Sequence, residues 1–325
     1  MRAAESSGPA AASAAGGSDA AERPLPAILL VLLAMFLFTT TDGAAKYLAA
    51  DMPPQQIIWV RYGVIVLILL PIIWRRRGEG LLRTGMPLQH VLRGLLLMVS
   101  GTIFIIALES LPLETATAIG FVSPFYVTAL SIPLLGEKVG ARRWAAVGVG
   151  FLGVLVILRP GGEAFQWAML LPLTSSFCWA LGLIITRRMR GSERALTILV
   201  YSSLVGWIAS APLALPVWRA PSGLEWSLLL LVGTFNALAQ YLVIRAFMMA
   251  SASLLAPFSY STILWAVLIG AAVFGTLPDR PTVAGALVLV AAGLYVWHRE
   301  RVRTAPATVP NAALSEAAEG EVKGA

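Results

Sequence analysis

The stretch PAILLVLLAMFLFTTTDGAAKY (residues 26–47) decides the fold class, because it is long and apolar and yet carries Asp42 near its end. A second stretch, QIIWVRYGVIVLILLPIIW (residues 56–74), repeats this arrangement around Arg61. A helix needs about 20 apolar residues to cross the hydrocarbon core of a bilayer. Ionisable groups inside such helices are costly and usually mark the path of a substrate or ion. The two stretches therefore predict membrane-spanning helices that line a route for a solute.

Composition extends this prediction to the rest of the chain. Of its 325 residues, 58% are hydrophobic and 13% are charged, whereas a soluble domain carries about 25% charged residues. Most of the surface must therefore face lipid. The formal net charge of +7 does not predict a nucleic-acid partner, because the basic residues lie between apolar runs and form no patch.

Cysteine and histidine are too sparse to suggest a redox or metal site. Cys178 is the only cysteine, and the only histidines, His90 and His298, lie far apart in the sequence. The sequence contains no G-x-x-x-x-G-K-[ST] loop for nucleotide hydrolysis and no H-E-x-x-H metal motif. We therefore expect no metal, no cofactor and no enzymatic activity.

Apolar stretches of spanning length follow one another along the chain. They number ten and cover residues 27–46, 56–74, 89–109, 115–135, 143–159, 167–187, 196–217, 226–246, 253–274 and 282–298. The connections between them are short and leave no room for a soluble domain. Residues 1–25 and 300–325 are rich in small and polar residues, and we expect both segments to be disordered cytoplasmic tails.

The basic residues predict how these helices are oriented. With the N-terminus placed in the cytoplasm, 19 of the 24 lysines and arginines fall on the cytoplasmic side and 4 on the other side, while Arg61 lies within a span. An excess of basic residues on the cytoplasmic side is the usual rule. Both termini are therefore expected in the cytoplasm, which requires an even number of spans.

The second half of the chain resembles the first half at a nearly constant offset. Ala107 and Gly136 match Ala246 and Gly275 with the same offset, and GVLVILR (residues 153–159) matches GLYVWHR (residues 293–299). Each half would hold five helices, an odd number, so the second half would enter the membrane from the opposite side. Inverted repeats recur in secondary transporters, with the site near mid-membrane between the halves. We expect two such repeats, residues 26–160 and 161–299.

Several segments resemble a known family. ATAIGFVSPFYVTALSIPLLGEKVGARRWAAVGVGFLGVLVILRP (residues 116–160) resembles the fourth and fifth helices of an EamA repeat, which the drug/metabolite transporter superfamily carries. SASLLAPFSYSTILWAVLIGAAVFGTLPDRPTVAGALVLVAAGLYV (residues 251–296) resembles its second copy, and TDGAAKYLA and WVRYG resemble one bacterial branch. The second copy departs from the family pattern, because Gly275-Thr276 stands where the family often has Gly-Glu.

The resemblance implies a function as well as a fold. It implies ten helices in the bacterial cytoplasmic (inner) membrane, small metabolites carried by a proton or other gradient, and a cavity lined by helices 1, 3, 4, 6, 8 and 9. It admits exporters of amino acids and metabolites as well as uptake systems for S-adenosylmethionine or riboflavin. Neither the solute nor the direction of transport follows from it, and we leave a monomer and a homodimer open.

Asp42 and Arg61 are the first candidates for a solute site. Asp42 and Lys46 lie four residues apart and share a helix face, so they could form a local ion pair. Alternatively, Asp42 could bind a proton or a cationic group of the solute. Arg61 lies about 9 Å from the outer end of its helix, where it could pair with Asp42, extend outward to water, or contact an anion.

Amides and tyrosines within the spans are further candidates. Asn236 and Gln240 lie four apart in the eighth stretch, where they could form hydrogen bonds between helices or line a cavity. Tyr126 and Tyr260 follow prolines in SPFY and APFSY. Their neighbourhood could bind the solute, or it could satisfy the backbone groups that these prolines free.

Two tryptophans lie in mid-helix positions rather than near the membrane interface, where tryptophan usually collects. Trp179 and Trp265 fall near the middles of the sixth and ninth stretches, where either helix packing or a cavity would account for them. Glu109 and Glu114 bracket a short turn between the third and fourth stretches. We expect both of these carboxylates to be solvated.

These observations predict a secondary active transporter that moves a small organic metabolite by alternating access, with proton coupling left open. The candidate solute-binding residues are Asp42, Arg61, Tyr126, Trp179, Asn236, Gln240, Tyr260 and Trp265. Their aromatic and amide side chains would suit a planar or zwitterionic solute. The alternatives are a membrane scaffold or sensor that does not transport and, with less support, a membrane-embedded enzyme.

Overall fold

The computed structural model describes residues 24–75, 82–136, 140–162, 165–189, 192–249, 255 and 258–304. Within these ranges the regular structure is helical and includes no strand, in agreement with the predicted fold class. The last helix continues to Thr304, past the predicted start of the C-terminal tail at residue 300. The rest of both predicted tails lies outside the described residues.

The helices follow one another with short connections. They are α1 (Pro24–Ala49), α2 (Pro54–Arg75), α3 (Pro87–Ser110), α4 (Leu113–Gly120), α5 (Ser123–Leu135), α6 (Ala141–Leu158), α7 (Leu170–Arg188), α8 (Ala195–Ala214), α9 (Gly223–Met249), α10 (Ser261–Ile269) and α11 (Arg280–Thr304). Single 3₁₀ turns precede α7 (Trp167–Met169) and follow α8 (Leu215–Val217). A short π-helix, Gly270–Phe274, continues α10.

Most of the predicted spans correspond to helices that could cross a membrane. In the described part of the chain, seven helical segments are long and apolar enough: Leu25–Ala49, Pro54–Arg75, Pro87–Ser110, Leu113–Leu135, Trp167–Arg188, Ala195–Val217 and Gly223–Val243. Shorter apolar helices, Val147–Leu158, Ser261–Phe274 and Arg280–Tyr295, occupy the fifth, ninth and tenth predicted stretches. Because these three segments do not meet the same length and hydropathy criteria over the described residues, the count of ten spans stays a prediction.

The predicted fourth span, residues 115–135, is interrupted rather than continuous. α4 ends at Gly120, and α5 begins at Ser123 with Pro124 in its first turn. Proline has no backbone N–H, so the carbonyl of Gly120, four residues earlier, loses its helical donor. Ser176 of α7 donates its hydroxyl to this carbonyl at 3.1 Å. A neighbouring helix thus satisfies the backbone group that the proline frees.

The helices of the first half pack mainly against those of the second half. α1 packs against α9 and α10, while α3 packs against α7 and α8. α2 lies against α8 and α9, α5 lies against α7, and α6 packs along α11. From Gln56 to Val66, α2 buries side chains on almost every side. Such burial is typical of an apolar helix inside a bundle.

Polar contacts join the helices at one end of the bundle, which we name the Lys46 end. Lys46 of α1 donates from Nζ to the carbonyl oxygens of Leu108 (2.7 Å) and Leu111 (2.6 Å) at the end of α3. Gln56 of α2 donates to the carbonyl of Arg219 at 2.8 Å. At the same end, Arg159 and Asp279 form an ion pair that joins α6 to the segment before α11.

A second group of contacts defines the opposite end, which we name the His90 end. Thr84 and the backbone N–H of Gly85, just before α3, donate to the Glu193 carboxylate at 2.5 and 3.0 Å. His90 of α3 lies with Nε2 3.5 Å from the same carboxylate. One turn along α3, Arg93 donates to the hydroxyl of Thr186 at 2.7 Å. These contacts tie α3 to α7 and to the loop before α8.

Candidate functional site

Asp42 lies in the second half of α1, on a side of the helix that faces other helices. The exposed large side chains of α1 form a separate stripe: Leu25, Leu29, Leu33, Phe36 and Tyr47. Asp42 is partly buried. Among the described residues its carboxylate forms neither a hydrogen bond nor an ion pair, and Arg61 is the charged group that acts on it. The structure therefore brings these two predicted residues near each other without pairing them directly.

Arg61 is a buried cation inside the bundle, with 8% of its surface exposed. Its guanidinium carbon lies 5.4 Å from the centre of the Tyr62 ring. No described carboxylate forms an ion pair with it, and its Nε has no hydrogen-bond partner. The side chain points at α3, where a Cβ on Gly101 would lie 2.4 Å from Nη2. The outward extension to water that the sequence left open is therefore not the conformation observed.

Lys46 does not form the local ion pair with Asp42 that its spacing allowed. Its ammonium group is held by the two α3 carbonyls described above and lies 5.5 Å from the centre of the Phe274 ring. The C-terminal carbonyls of a helix attract a cation because they lack helical donors and carry partial negative charge. Asp42 is therefore left without its nearest candidate partner.

The prediction that Glu114 is solvated is wrong, because only 2% of this residue is exposed. Glu114 stands in the first turn of α4, where helical N–H groups favour a carboxylate. Thr276 donates its hydroxyl to Oε2 at 3.3 Å, and the charge of Lys46 interacts with the same group. Glu109 is exposed as predicted. Glu114 therefore belongs to the contacts of the Lys46 end.

Asn236 and Gln240 lie on the inner side of α9. The exposed residues of this helix include Leu230, Leu238 and Tyr241, and Asn236 is about 160° around the helix from Leu238 at 100° per residue. Neither amide forms a hydrogen bond with another described residue. Both side chains are partly buried. Neighbouring residues of α9 pack against α1 on one side and against α2 on the other.

Trp179 also faces the interior of the bundle. The exposed stripe of α7 contains Leu170, Thr174 and Phe177, and a residue two positions from Phe177 is rotated by about 200°. Trp179 lies close in sequence to Ser175, which bonds to α3, and to Ser176, which bonds to α4. Its side chain is partly buried.

Tyr126, Tyr260 and Trp265 lie at seams between helices, each against another aromatic ring. Tyr126 meets Phe177 edge to face at 5.5 Å between ring centres, and Trp265 meets Phe36 in the same way at 5.2 Å. Tyr260 stacks on Phe121 at 5.1 Å. Because Phe36 and Phe177 are themselves exposed, the first two pairs lie toward the outer surface. The Trp265 Nε1 is buried without a hydrogen-bond partner.

A buried serine pair was missed by the sequence reasoning. Ser100 of α3 and Ser175 of α7 each donate to the carbonyl oxygen of the other at 2.9 Å, and their hydroxyl oxygens lie 3.1 Å apart. Small residues let two helices approach closely, and their hydroxyls can then join the backbones. The signal was present as small polar residues within apolar spans, but the partner helix cannot be read from one sequence.

At the His90 end, Glu193 is the centre of the contacts. Its side chain is 3% exposed and that of His90 is fully buried, and the His90 ring stacks on Tyr201 at 4.8 Å. Burial acts to raise the pKa of the Glu193 carboxyl. The hydrogen bonds from Thr84 and Gly85, together with His90, outweigh this effect and hold the pKa below its ordinary value. Glu193 is therefore an ionised acceptor near neutral pH.

Long apolar helices around buried polar groups define an all-α, multi-pass membrane protein. The sequence model of the EamA-like transporter family matches residues 25–159 and again residues 166–297. The chain therefore belongs to the EamA-like transporter family, which confirms the resemblance to the drug/metabolite transporters. Two matched segments account for most of the described residues.

Relatives with assigned names are transporters of small molecules. The chain is 30% identical over 270 residues to an S-adenosylmethionine uptake transporter of Rickettsia felis, covering 83% of this chain and 92% of that protein. It is 31% identical over 284 residues to a riboflavin transporter of Rhizobium johnstonii, covering 86% and 94%. A pseudopaline exporter of Pseudomonas aeruginosa is 28% identical over 267 residues, covering 82% and 93%.

A solved crystal structure shares the fold. It superposes with a TM-score of 0.62 at 18% sequence identity and covers 86% of this chain and 99% of its own. At this identity the likeness concerns the fold alone.

Proposed function

We propose that the protein is a secondary active transporter that moves a small organic metabolite across the bacterial cytoplasmic membrane by alternating access. The observation that carries the proposal is the pair of charged groups, Asp42 and Arg61, kept inside a bundle that belongs to a transporter family. Its relatives are named for small organic solutes. Because they include uptake systems and an exporter, we leave the direction open.

Helix packing supports an inverted repeat. If the repeats are residues 26–160 and 161–299, then α1, α2, α3, α4–α5 and α6 correspond to α7, α8, α9, α10 and α11. Exchanging the two sets turns the α1–α9 contact into the α7–α3 contact and the α2–α9 contact into the α8–α3 contact, and each pair is observed. In three further contacts each helix packs against its own counterpart in the other repeat, as expected near a two-fold axis. These contacts are α2–α8, α4–α10 and α6–α11.

Aromatic contacts repeat in the same way. Trp265 corresponds to Tyr126 at an offset of 139 residues, and Phe177 corresponds to Phe36 at an offset of 141. The contacts Tyr126–Phe177 and Phe36–Trp265 are therefore counterparts, and both are edge to face. Phe121 and Tyr260 correspond to each other at an offset of 139, and their rings stack on each other. A residue that contacts its own counterpart lies near the axis that relates the repeats.

Backbone conformation adds a further correspondence. Gly136 ends α5 and Gly275 ends the π-helix after α10, and both adopt the left-handed conformation with φ of 69° and 66°. Glycine favours this conformation at helix C-termini because it has no Cβ. These matched ends support the view that α6, α10 and α11 are spans, which would give ten.

In this scheme the His90 end faces the cytoplasm, together with both termini, as the distribution of basic residues predicts. Alternating access then requires the contacts at the Lys46 end and those at the His90 end to open in turn. Both groups of contacts join the two halves. The Glu114–Thr276 hydrogen bond does so at the outer end, and the Thr84–Glu193 hydrogen bond does so at the inner end. Bonds of this kind can be exchanged for water at modest cost.

Proton coupling is part of the proposal. Asp42 is a carboxyl group inside the membrane, and the charged group that acts on it is Arg61. A carboxyl in such a place can gain and lose a proton as its surroundings alternate between water and helices. Its protonation would then be linked to the state of the transporter.

Transport by purified protein tests the proposed function. The protein would be reconstituted into liposomes loaded with unlabelled solute, and entry of radiolabelled amino acids, nucleosides, riboflavin or S-adenosylmethionine would be followed as counterflow. We expect at least one solute to accumulate above protein-free liposomes. If a folded, reconstituted protein moves none of a broad metabolite panel, the scaffold or sensor alternative is favoured.

A further inference from the structure

We propose that Arg61 is the seat for a carboxylate of the transported solute, and that Asp42 faces a cationic group of the same molecule. The solute class would then be zwitterions, such as compounds that carry an α-amino acid group. This inference rests on the proposed transport function and goes beyond it by naming the chemistry that the site selects.

Arg61 is buried without an ion-pair partner among the described residues. With 8% of its surface exposed, it is largely removed from water. Its side chain interacts with the Tyr62 hydroxyl, but no described carboxylate forms an ion pair with it, and Nε has no hydrogen-bond partner. A buried charge is strongly unfavourable unless it is paired. The contact with the Tyr62 ring offsets a part of this cost only. An anion that enters during transport would supply the missing partner.

The Arg61 guanidinium lies directly against the backbone of α3 at Gly101. A Cβ on residue 101 would lie 2.4 Å from Nη2 and 3.5 Å from the guanidinium carbon, so only glycine accommodates the side chain as it stands. The planar guanidinium presents paired N–H donors that match the two oxygens of a carboxylate. Lysine at position 61 would keep the charge but lose this paired geometry.

Asp42, the acid on which Arg61 acts electrostatically, also lacks an ion-pair partner among the described residues. Lys46 is bound to α3 carbonyls, so it does not neutralise Asp42. Asp42 and Arg61 influence each other electrostatically, but they do not form an ion pair. Two opposite charges that are close and yet separate can hold a molecule that carries both. Asn236, on the inner side of α9, is a further partly buried polar side chain of the bundle.

Matched ligands test this chemistry. Thermal stabilisation of the purified protein would be measured with L-tryptophan, tryptamine, indole-3-propionate, S-adenosylmethionine, 5′-methylthioadenosine and riboflavin. A ligand that binds the folded state raises its stability according to its concentration relative to Kd. We expect a zwitterion to bind about 10- to 100-fold more tightly than its counterpart without the carboxylate, the usual effect of losing hydrogen bonds to a charged group.

Variants assign the preference to the site. Arg61→Gln removes the charge, and Gly101→Ala keeps it but displaces the guanidinium. Both are expected to abolish the preference for the carboxylate. Arg83→Gln, at a residue outside the bundle interior, and Gly148→Ala, where a Cβ meets nothing within 4 Å, are the matched controls and should retain it. Retention of the melting temperature by Gly101→Ala without ligand would separate loss of binding from loss of folding.

If riboflavin, or a ligand without its carboxylate, binds and is transported as well as the zwitterion, the carboxylate seat is overturned while the transporter stands. The same holds if Arg61→Gln retains the preference. If no ligand on the panel binds or moves, both the seat and the proposed function are contradicted.

Discussion

Asp42 and Arg61 are kept in the bundle although neither forms an ion pair with a described residue. Lys46 and Glu114 are charged groups with partners inside the protein. Two carbonyl oxygens accept hydrogen bonds from Lys46, the Thr276 hydroxyl donates to Glu114, and the two opposite charges attract each other. The contrast separates charges that stabilise the Lys46 end from charges that are available to a ligand. At the scale of single residues, function is therefore indicated by the missing partner and not by the charge alone.

Replacement of Asp42 tests its part in proton coupling. We expect Asp42→Asn to remove the response of solute uptake to an imposed pH gradient, because the amide cannot take up or release a proton. The parental protein should accumulate more solute with the gradient than without it, while the variant should show the same level in both conditions. Uptake would be measured in proteoliposomes.

Asp51→Asn is the control for this experiment, since Asp51 is exposed just beyond α1. Uptake by Asp42→Asn that responds to the gradient at the parental rate would rule out Asp42 as the coupling group.

Glu193 provides a pH-dependent contribution to stability at the His90 end. Its pKa in the folded protein is lowered, whereas an unfolded glutamate has a pKa of about 4.3. Ionised Glu193 therefore stabilises the fold above that pH, and the contribution is lost as the pH falls through the folded value. We expect the melting temperature of the parent to decrease more than that of Glu193→Gln between about pH 6 and pH 3.

Scanning fluorimetry in detergent at several pH values would measure the difference, with Asp51→Asn again as a control. Parallel curves for the parent and Glu193→Gln would show that this carboxyl contributes no pH-dependent stability.

The break between α4 and α5 shows how one element depends on another. Pro124 removes the donor of the Gly120 carbonyl, and Ser176 replaces it from α7. The same hydroxyl also reaches the carbonyl of Pro172 in its own helix. The break is therefore held by a side chain from a helix that is distant in the sequence.

Removal of the Ser176 hydroxyl should destabilise the protein by about 1 kcal/mol, because the Gly120 carbonyl would then lose the donor that replaces its helical partner. Thermal or denaturant unfolding of Ser176→Ala in detergent would measure the loss. Thr174→Ala is the matched control, since Thr174 is exposed on the same helix and its hydroxyl bonds within α7. Equal losses for the two variants would contradict a specific role for Ser176 at the break.

At this scale the sequence predicted where the apolar stretches lie, because hydrophobicity and length are local properties. The sequence repeat also pairs Gly136 with Gly275, and both glycines adopt the left-handed conformation. The sequence did not predict the burial of Glu114 or the separation of Lys46 from Asp42. Lys46 is drawn away from Asp42 by carbonyl oxygens at the end of α3. Glu114 is in contact with Thr276, which follows the π-helix. Both contacts join residues that are distant in the sequence and meet only in the folded protein. The inward orientation of Asn236 likewise could not be predicted, because it depends on how α9 packs against α1 and α2.

The whole molecule is best understood as two halves that share one set of contacts. Exchanging the proposed repeats turns the α1–α9 contact into the α7–α3 contact, and opposite ends of the bundle carry separate polar contacts between the halves. In the proposed mechanism, this arrangement would have two conformations of similar energy, one open at each end, with the same central residues exposed in turn. The central claim is that solute reaches this shared site from either side of the membrane.

Cysteine labelling at Asn236 tests this claim most directly. Cys178 is the only native cysteine, so Cys178→Ser provides a background in which a single Asn236→Cys change can be probed. Oriented vesicles would be treated with a water-soluble, membrane-impermeant maleimide from one side or the other. Leu238→Cys, on the exposed face of the same helix, is the control that lipid should protect.

We expect Asn236→Cys to be labelled from both sides and to be protected by a transported solute, while Leu238→Cys reacts from neither. Labelling of Asn236→Cys from only one side under all conditions, or from neither side, would contradict alternating access to a site between the halves.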